Sequence, residues 1–439
     1  DKHIEVPARL TYKGETYAVA VSLTGIDEVE PNSMHIIHPN KKWSYSVKVK
    51  KGKSVMGLRK FSLLVPRARG YLTDWIATTL LKSRGVLGIR NDFIELGING
   101  ENLGIFYLEE RYDNPLLENN GKNEGIIFRF KNGEISVHGK AKILEQEELR
   151  SQLFILQNLY YRLMDGRIKP NDFFDFGKLA SFAVVSDIMN SKHALGLWNL
   201  RFYFNPQTQL CEPIGREWGY LQEPVKNKFI TLFDNKNALL IEKPDSETPY
   251  HAGILKHNPI FIDGIGLDFK ELYIKEADKL SKQNYLDSVL YSDNSLQTLL
   301  RKVHKENPFY KFPIDQLHKN QEYIRDKINP NRPLIESTID TIMKDSISIF
   351  VINKIDLPIE IHSLIYNSKQ IIKLTERLII EADFETNFTG KSIVFPYKKE
   401  GGLSSLSSDY FELNYSILGL NNLRKTVVFP KDSMELLEK

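Results

Sequence analysis

Four basic side chains close together in the sequence could bind phosphate. Arg59, Lys60, Arg67 and Arg69 lie in one short stretch. Guanidinium and ammonium groups form charge-assisted hydrogen bonds with phosphate, so this stretch could hold a phosphate group or an acidic partner. Lysine and arginine are mostly solvent-exposed, so a solvated basic edge is at least as good an interpretation. The sequence leaves both open.

Few other residues suggest catalysis. Cys211 is the single cysteine, it has no histidine near it in sequence, and no G-x-S-x-G motif occurs. Catalysis by a serine or cysteine nucleophile is therefore not indicated. The sequence also has no Walker-type phosphate loop and no histidine cluster with metal-ligand spacing. One cysteine excludes a disulfide within this chain.

The composition is that of a folded protein with two or three domains. The 439 residues are 41% hydrophobic and carry a formal net charge of +3. The hydrophobic fraction is sufficient for ordinary cores, and the balanced charge argues against nucleic acid or an anionic membrane as the main partner. No apolar run approaches the roughly 18 residues that a membrane helix requires. Because the chain starts at Asp1, we expect a processed chain, and an upstream signal or anchor stays open.

The first third of the chain predicts strands around one helix. Residues 6–23 contain two apolar runs on either side of a glycine turn, which predicts a hairpin. Residues 43–50 alternate apolar and polar side chains, as a half-buried strand does. Residues 71–84 repeat apolar side chains at helical spacing and end before a glycine. Asn99-Gly100 is a strong signal for a tight turn between two strands.

The middle of the chain is more helical, and the tail differs from it. Residues 202–214 predict a second strand pair. From about residue 348 onward, apolar and polar residues alternate between turn signals, which predicts a separate small antiparallel β domain. The predicted helices are 145–165, 175–190, several across 268–304, 314–329 and 334–345.

Short motifs between Trp43 and Asp113 resemble the core of the CotH kinase family, known from spore coats. Each motif is weak alone, but their order and spacing are fairly specific over roughly residues 5–330. A second block, from Trp198-Asn199 through Pro206 to Gly215, resembles the family's later strand pair. The first-block motifs are Ser44 to Lys48, Gly57 to Leu63, Asp74 in a helix, Gly85 to Arg90, and Asn99-Gly100 through Glu110 to Asp113.

The resemblance implies an α+β fold, with a two-lobed core like that of an atypical protein kinase and an appended C-terminal antiparallel β domain. The expected domains are residues 1–113 as the small lobe, 114–345 as a mainly helical large lobe, and 346–439 as a β-sandwich-like domain. ATP would bind between the lobes. Phosphoryl transfer there requires a phosphate-binding lysine, an acid to orient it, metal ligands and a base.

The resemblance also implies which residues would bind the nucleotide. Lys48 stands at the position of the family's strand lysine and would hold phosphate, oriented by Asp74. The family more often has glutamate at the position of Asp74. Glu110 and Asp113 follow a strand where the chain would cross between lobes, and they would contact adenine and ribose. An exposed acidic loop is the alternative for these two residues.

The catalytic and metal positions depart from the family pattern. His193 lies closest to the family's catalytic aspartate and Asp187 lies just upstream, so both are candidates for the base. Asn199 matches a metal-facing asparagine. Where the family has a metal-binding aspartate, this chain has Glu217, whose extra methylene displaces the carboxylate that Mg²⁺ would need.

Two functions follow from the resemblance. The first is an atypical protein kinase that uses ATP and Mg²⁺ to phosphorylate hydroxyl groups of a protein substrate. The second is a catalytically impaired pseudokinase that acts as an assembly or binding protein of a bacterial cell envelope or spore coat. We expect an exported or envelope protein rather than a cytoplasmic one, with a protein partner and no nucleic acid.

Overall fold

The computed structural model of the chain describes most residues, in two compact units. Residues 1–265 and 282–322 form the first unit, and residues 266–281 and 323–439 form the second. Trp198 lies outside the described residues. Those described are 4–24, 36–37, 42–131, 133–191, 193–195, 199–219, 266–343, 345–367, 370–381, 389–396 and 411–430.

The first unit contains a six-stranded antiparallel sheet near its N-terminus. Its strand order is β1-β2-β5-β6-β9-β8, so the last two strands are joined as a hairpin. Asn99 and Gly100 both have positive φ, 52° and 85°, as the predicted tight turn requires. The strands of this part are β1 (Val6–Tyr12), β2 (Glu15–Leu23), β3 (Ile36–Ile37), β4 (Lys42–Trp43), β5 (Tyr45–Val49), β6 (Lys60–Leu64), β7 (Leu87–Gly88), β8 (Asn91–Ile98) and β9 (Glu101–Glu110).

The two faces of this sheet differ in character. Val47 and Val49 of β5 are buried in a core that they share with Phe61 and Phe106. Lys48 lies between the two valines and is exposed on the opposite face. This alternation follows from the two-residue period of a strand. The sequence therefore predicted the strand correctly, and the period decides which residues lie on the polar face.

A tight turn and a helix follow β6. Residues Pro66–Arg69 form a short 3₁₀-helix, and Gly70 and Tyr71 after it both have left-handed backbone, with φ of 55° and 58°. Helix α1 (Thr73–Ser83) then begins, with Asp74 in its first turn. This chain reversal places Arg69 and Asp74 close together. Gly70 adopts the left-handed conformation that the reversal needs without the steric cost of a side chain.

A second sheet and most of the helices complete the first unit. The sheet order is β11-β10-β12-β13-β7, antiparallel except for the β13–β7 pair. Its strands are β10 (Ile126–Lys131), β11 (Glu134–Val137), β12 (Arg201–Phe204) and β13 (Cys211–Gly215). The helices are α2 (Asn114–Asn119), α3 (Lys140–Glu145), α4 (Glu147–Met164), α5 (Phe176–Ile188), and, after α6 of the second unit, α7 (Tyr285–Leu290) and α8 (Ser295–Glu306).

The second unit combines helix α6 (Leu267–Leu280) with two antiparallel sheets. Helix α9 (Ile314–Ile328) is counted with the first unit up to Glu322 and with the second from Tyr323. The sheet orders are β14-β15-β18 and β17-β16-β19-β20. The strands are β14 (Ile335–Ile342), β15 (Ser346–Asn353), β16 (Ile359–Tyr366), β17 (Gln370–Ile380), β18 (Thr389–Pro396), β19 (Phe411–Ile417) and β20 (Arg424–Val427).

The predicted α+β class is confirmed, and one helix prediction is wrong. Within the predicted helix 334–345, residues Ile335–Ile342 form strand β14 instead, where Ile335 and Ser337 are buried and pair with β15. The isoleucine and threonine residues of this segment are β-branched and favour a strand. The two-lobed kinase arrangement and the division at residues 113 and 345 stay predictions. No described helix has the length and apolar character to span a membrane.

Gly215 at the end of β13 allows close packing of the elements around it. A Cβ atom there would lie 2.3 Å from Leu81 Cδ1 and 3.1 Å from Trp218 Cζ2. Leu81 and Trp218 are both fully buried, so neither can move aside without disturbing the core. We expect Gly215→Ala to lower the free energy of unfolding by about 1–3 kcal/mol, measured by urea denaturation.

Gly97→Ala is the matched control, because its added Cβ would meet only Glu101 O at an ordinary 3.5 Å. If the two variants have the same unfolding midpoint, the packing at Gly215 is not tight.

Candidate functional site

A cluster of buried charges lies where several elements of the first unit meet. Arg69 comes from the 3₁₀-helix, Asp74 from α1 and Glu109 from the end of β9, while Arg216 and Glu217 follow β13. Their side chains form one network of ion pairs. The cluster includes two of the acids that the sequence marked as site residues, Asp74 and Glu217.

Glu109 is the centre of this network. Its side chain is 0% exposed. It accepts hydrogen bonds from Arg69 Nε at 2.6 Å and from Arg216 Nε at 2.8 Å. Burial opposes the charge of a carboxylate, but the two arginines outweigh it and lower the pKa of Glu109 to about 2. Glu109 is therefore ionised at any physiological pH and holds both guanidinium groups in place.

Asp74 fixes the backbone after β13. Its carboxylate accepts hydrogen bonds from Trp218 N at 3.0 Å and from Glu217 N at 3.3 Å, and it lies 3.4 Å from Arg69 Nε. Burial raises the pKa of Asp74 to about 7, against the opposing effect of Arg69. The basic partner of Asp74 is thus Arg69. The side chain of Lys48 is exposed, and the contacts of Asp74 are with Arg69 and with the backbone of residues 217–218, so orientation of Lys48 by Asp74 stays a prediction.

Glu217 is held by two arginines. Its Oε1 lies 3.0 Å from Arg69 Nη2 and 3.3 Å from Arg216 Nη2. Burial disfavours the charged form, yet Arg216 and Arg69 lower the pKa of this carboxyl. Its backbone φ is 59°, a left-handed conformation that is uncommon for glutamate. The turn that presents Glu217 is therefore fixed both by its side chain and by Asp74.

This arrangement does not fit a magnesium ion at Glu217. Mg²⁺ needs several oxygen ligands in octahedral geometry, and two guanidinium groups beside the carboxylate would repel it. Among the described residues, no group of three or more His, Cys, Asp or Glu is placed to hold a metal. Asn199, the other expected ligand, uses its side-chain Nδ2 to donate to His193 O at 3.1 Å.

The two candidate bases lie close together in the sequence: Asp187 is in the last turn of α5, and His193 is in the segment that follows this helix. His193 is exposed in a short 3₁₀-helix. It is a neighbour of Gly219, because a Cβ atom added to Gly219 would lie 3.6 Å from the Cβ of His193. Ser191 Oγ donates to Trp218 O, which ties the same segment to the turn after Glu217. Asp187 is buried in the last turn of α5. His193 is therefore beside the charge cluster.

Glu110 and Asp113 have structural partners. Glu110 is 1% exposed and accepts hydrogen bonds from Arg90 Nε at 3.1 Å and Arg90 N at 2.9 Å. An exposed acidic loop therefore does not describe Glu110. Asp113 is the N-cap of α2 and accepts from Asn114 N at 3.0 Å. Both carboxylates therefore have partners within the chain, and a contact with adenine or ribose stays a prediction.

The family comparison covers the part of the first unit that contains Arg69, Asp74 and Glu109. The family model described as CotH kinase protein matches residues 33–190, which confirms the resemblance over that segment. The matched segment is similar to that family, whose description suggests a kinase-like function. His193, Asn199 and Glu217 all lie after the matched segment. A search of curated proteins finds no match.

Removal of the charge of Glu109 tests whether the cluster stabilises the fold. In Glu109→Gln, two buried guanidinium groups lose their main counter-charge, so we expect a loss of about 3–5 kcal/mol in the free energy of unfolding. Urea denaturation measures it.

Asp165→Asn is the matched control, because Asp165 and its partner Arg167 are both more than half exposed. An exposed pair contributes about 0–1 kcal/mol. Equal destabilisation by the two variants would contradict the role of Glu109.

Proposed function

We propose that the protein is a pseudokinase of the CotH type, a kinase-like binding or assembly module that does not transfer phosphoryl groups. The observation that carries this proposal is the state of Glu217. The carboxylate at the expected metal position is neutralised by Arg69 and Arg216. A divalent cation that bridges phosphates is central to kinase catalysis, and this arrangement opposes it.

Two further observations support the proposal. Lys48 is the expected phosphate ligand, and Asp74, the acid expected to orient it, pairs with Arg69. Asn199 donates its amide to His193 O and thereby positions the short 3₁₀-helix. Asp74, Glu217 and the Nδ2 group of Asn199 therefore already have partners within the chain. A kinase-shaped module of this kind would act through a protein partner, in line with assembly in a coat or cell envelope.

An active kinase is the second candidate, favoured by the family match over residues 33–190. In that case ATP and Mg²⁺ would bind in the kinase-like core, and the γ-phosphoryl would pass to a protein hydroxyl. Lys48 would contact phosphate, and Asn199 and Glu217 would contact the metal. His193 would be the base, since it already lies beside the turn after Glu217. This function requires Glu217 to leave both arginines.

Transfer of radiolabel from [γ-³²P]ATP to a generic protein acceptor, with Mg²⁺ present, separates the two functions. We expect the wild type and the variants His193→Ala and Glu217→Ala to give the same background. Glu217→Asp tests the metal position directly, because it restores the aspartate that the family has there.

A general base contributes typically on the order of 10²–10⁴ in rate. A wild-type rate that exceeds His193→Ala by such a factor, with both proteins folded by circular dichroism, would establish the kinase and overturn the pseudokinase proposal.

A further inference from the structure

The outward side of helix α4 carries a patch of large apolar side chains. Phe154 is 71% exposed, Tyr161 62% and Ile155 37%. The opposite side of the helix consists of buried residues, which are Leu149, Leu156, Tyr160 and Leu163. Single exposed apolar side chains are normal, but several on one side of one helix mark an interaction surface. The exposed side of α4 is therefore a candidate interface.

The buried side of α4 fixes which side of the helix faces outward. The centre of the Tyr160 ring lies 5.6 Å from that of Phe130 and 6.2 Å from that of Phe173. The hydroxyl group of Tyr160 donates a hydrogen bond to Gly133 O at 2.6 Å. Rotation of the helix about its axis would break these contacts. Removal of Phe154 from water therefore requires a second surface that covers it.

The charges on the exposed side of α4 are separated by sign. Glu147 lies in the first turn and Arg162 in the last turn, and both are exposed. Arg150 lies at the margin of this side, where its Nη1 donates to Leu144 O at 2.6 Å. Residues three or four positions apart lie on the same side of a helix. The exposed residues that follow one another at this spacing are Glu147, Ser151, Phe154, Ile155, Asn158 and Arg162. This side is therefore acidic at its start, apolar in its middle and basic at its end.

We propose that the exposed side of α4 is the interface of a homodimer, in which the α4 helices of two copies lie antiparallel about a two-fold axis. In such an interface, residue i of one copy faces residue j of the other, and residue j faces residue i. An axis between Phe154 and Ile155 makes these two residues face each other across the dimer. The same register places Glu147 opposite Arg162 of the second copy, twice per dimer. One arrangement therefore covers the apolar centre and pairs both charged ends.

Self-complementarity selects a second copy as the partner. An acidic, apolar and basic order along a helix is matched by the same order read in reverse, and this chain supplies it. The patch also has the composition of interface centres, in which Tyr, Phe and Arg are enriched. An anionic membrane is a poorer partner, because it attracts basic segments and this helix begins with Glu147 and Glu148. The proposal is independent of the pseudokinase proposal, because α4 contributes no residue to the ion-pair network around Glu109.

The size of the surface predicts a weak dimer. Helix α4 has 18 residues, which correspond to a length of about 27 Å. One helix face of this length buries less than the roughly 800 Å² per partner of a standard interface. We therefore expect a dissociation constant on the order of 1–100 μM.

Sedimentation velocity of the full chain tests whether this dimer forms. We expect monomer well below the dissociation constant and dimer at concentrations up to about 300 μM. A chain that stays monomeric at the highest concentration overturns the proposal. Growth beyond the dimer also overturns it, because a two-fold interface closes on itself.

Phe154→Glu tests whether α4 is the interface. The variant should be monomeric over the same concentrations, because it places a carboxylate in the apolar centre of the interface. Phe309→Glu is the matched control, since Phe309 is 89% exposed and lies between α8 and α9. It should dimerise like the wild type. With both variants folded by circular dichroism, the proposal is wrong if both dissociate or if neither does.

Reversal of the two charges tests whether the partner is a second copy in the antiparallel register. Glu147→Arg and Arg162→Glu should each weaken the dimer by about threefold to thirtyfold, because each breaks two exposed ion pairs and introduces repulsion. The double variant should regain most of the lost affinity. The two residues lie about 22 Å apart along α4, so they cannot compensate for each other within one chain. A double variant no tighter than the single variants would mean that α4 meets a different surface, and would overturn the proposal.

Discussion

The buried carboxylate of Glu109 is the group on which this part of the structure depends. A charge with 0% exposure is tolerated only when it is paired and hydrogen-bonded. Its two partners come from distant parts of the chain, Arg69 before α1 and Arg216 after β13. One residue at the end of β9 therefore fixes the position of the turn before α1 and of the segment that carries Glu217. The carboxylate of Glu109 has both of its arginine partners only when both segments are in place.

The same requirement explains the unusual backbone nearby. Between Arg69 and Asp74 the chain reverses at Gly70 and Tyr71, which are both left-handed, and this brings the two side chains within 3.4 Å. Glu217 is left-handed as well, and Asp74 accepts hydrogen bonds from the backbone N–H of Glu217 and Trp218. Such conformations cost of order 1–3 kcal/mol each for residues other than glycine. The ion pairs and hydrogen bonds that they permit offset this cost.

Much of the local structure could be predicted from the sequence, because periodicity and turn chemistry are local signals. Helix α1, the Asn99-Gly100 turn and the half-buried strand around Lys48 follow from them. The strand β14 was missed because its β-branched residues repeat at a spacing that also suits a helix. Glu109 was missed for another reason. It stands in the charged run from 109 to 113, and only pairing of β9 with β6 shows that it is buried.

Two arginines beside Glu217 cannot do what a bound metal ion does in phosphoryl transfer. A divalent cation neutralises phosphate charge and also bridges two phosphate oxygens, which orients the group for in-line transfer. Arginine supplies permanent charge and directional hydrogen bonds but cannot bridge oxygens in an octahedral geometry. In the proposed pseudokinase, Arg69 and Arg216 are paired with Glu109 and Glu217, so the carboxylate at the expected metal position is already neutralised. This pairing opposes the binding of a divalent cation at Glu217 and therefore opposes phosphoryl transfer. That opposition is the physical reason for proposing a module that binds a partner without turnover.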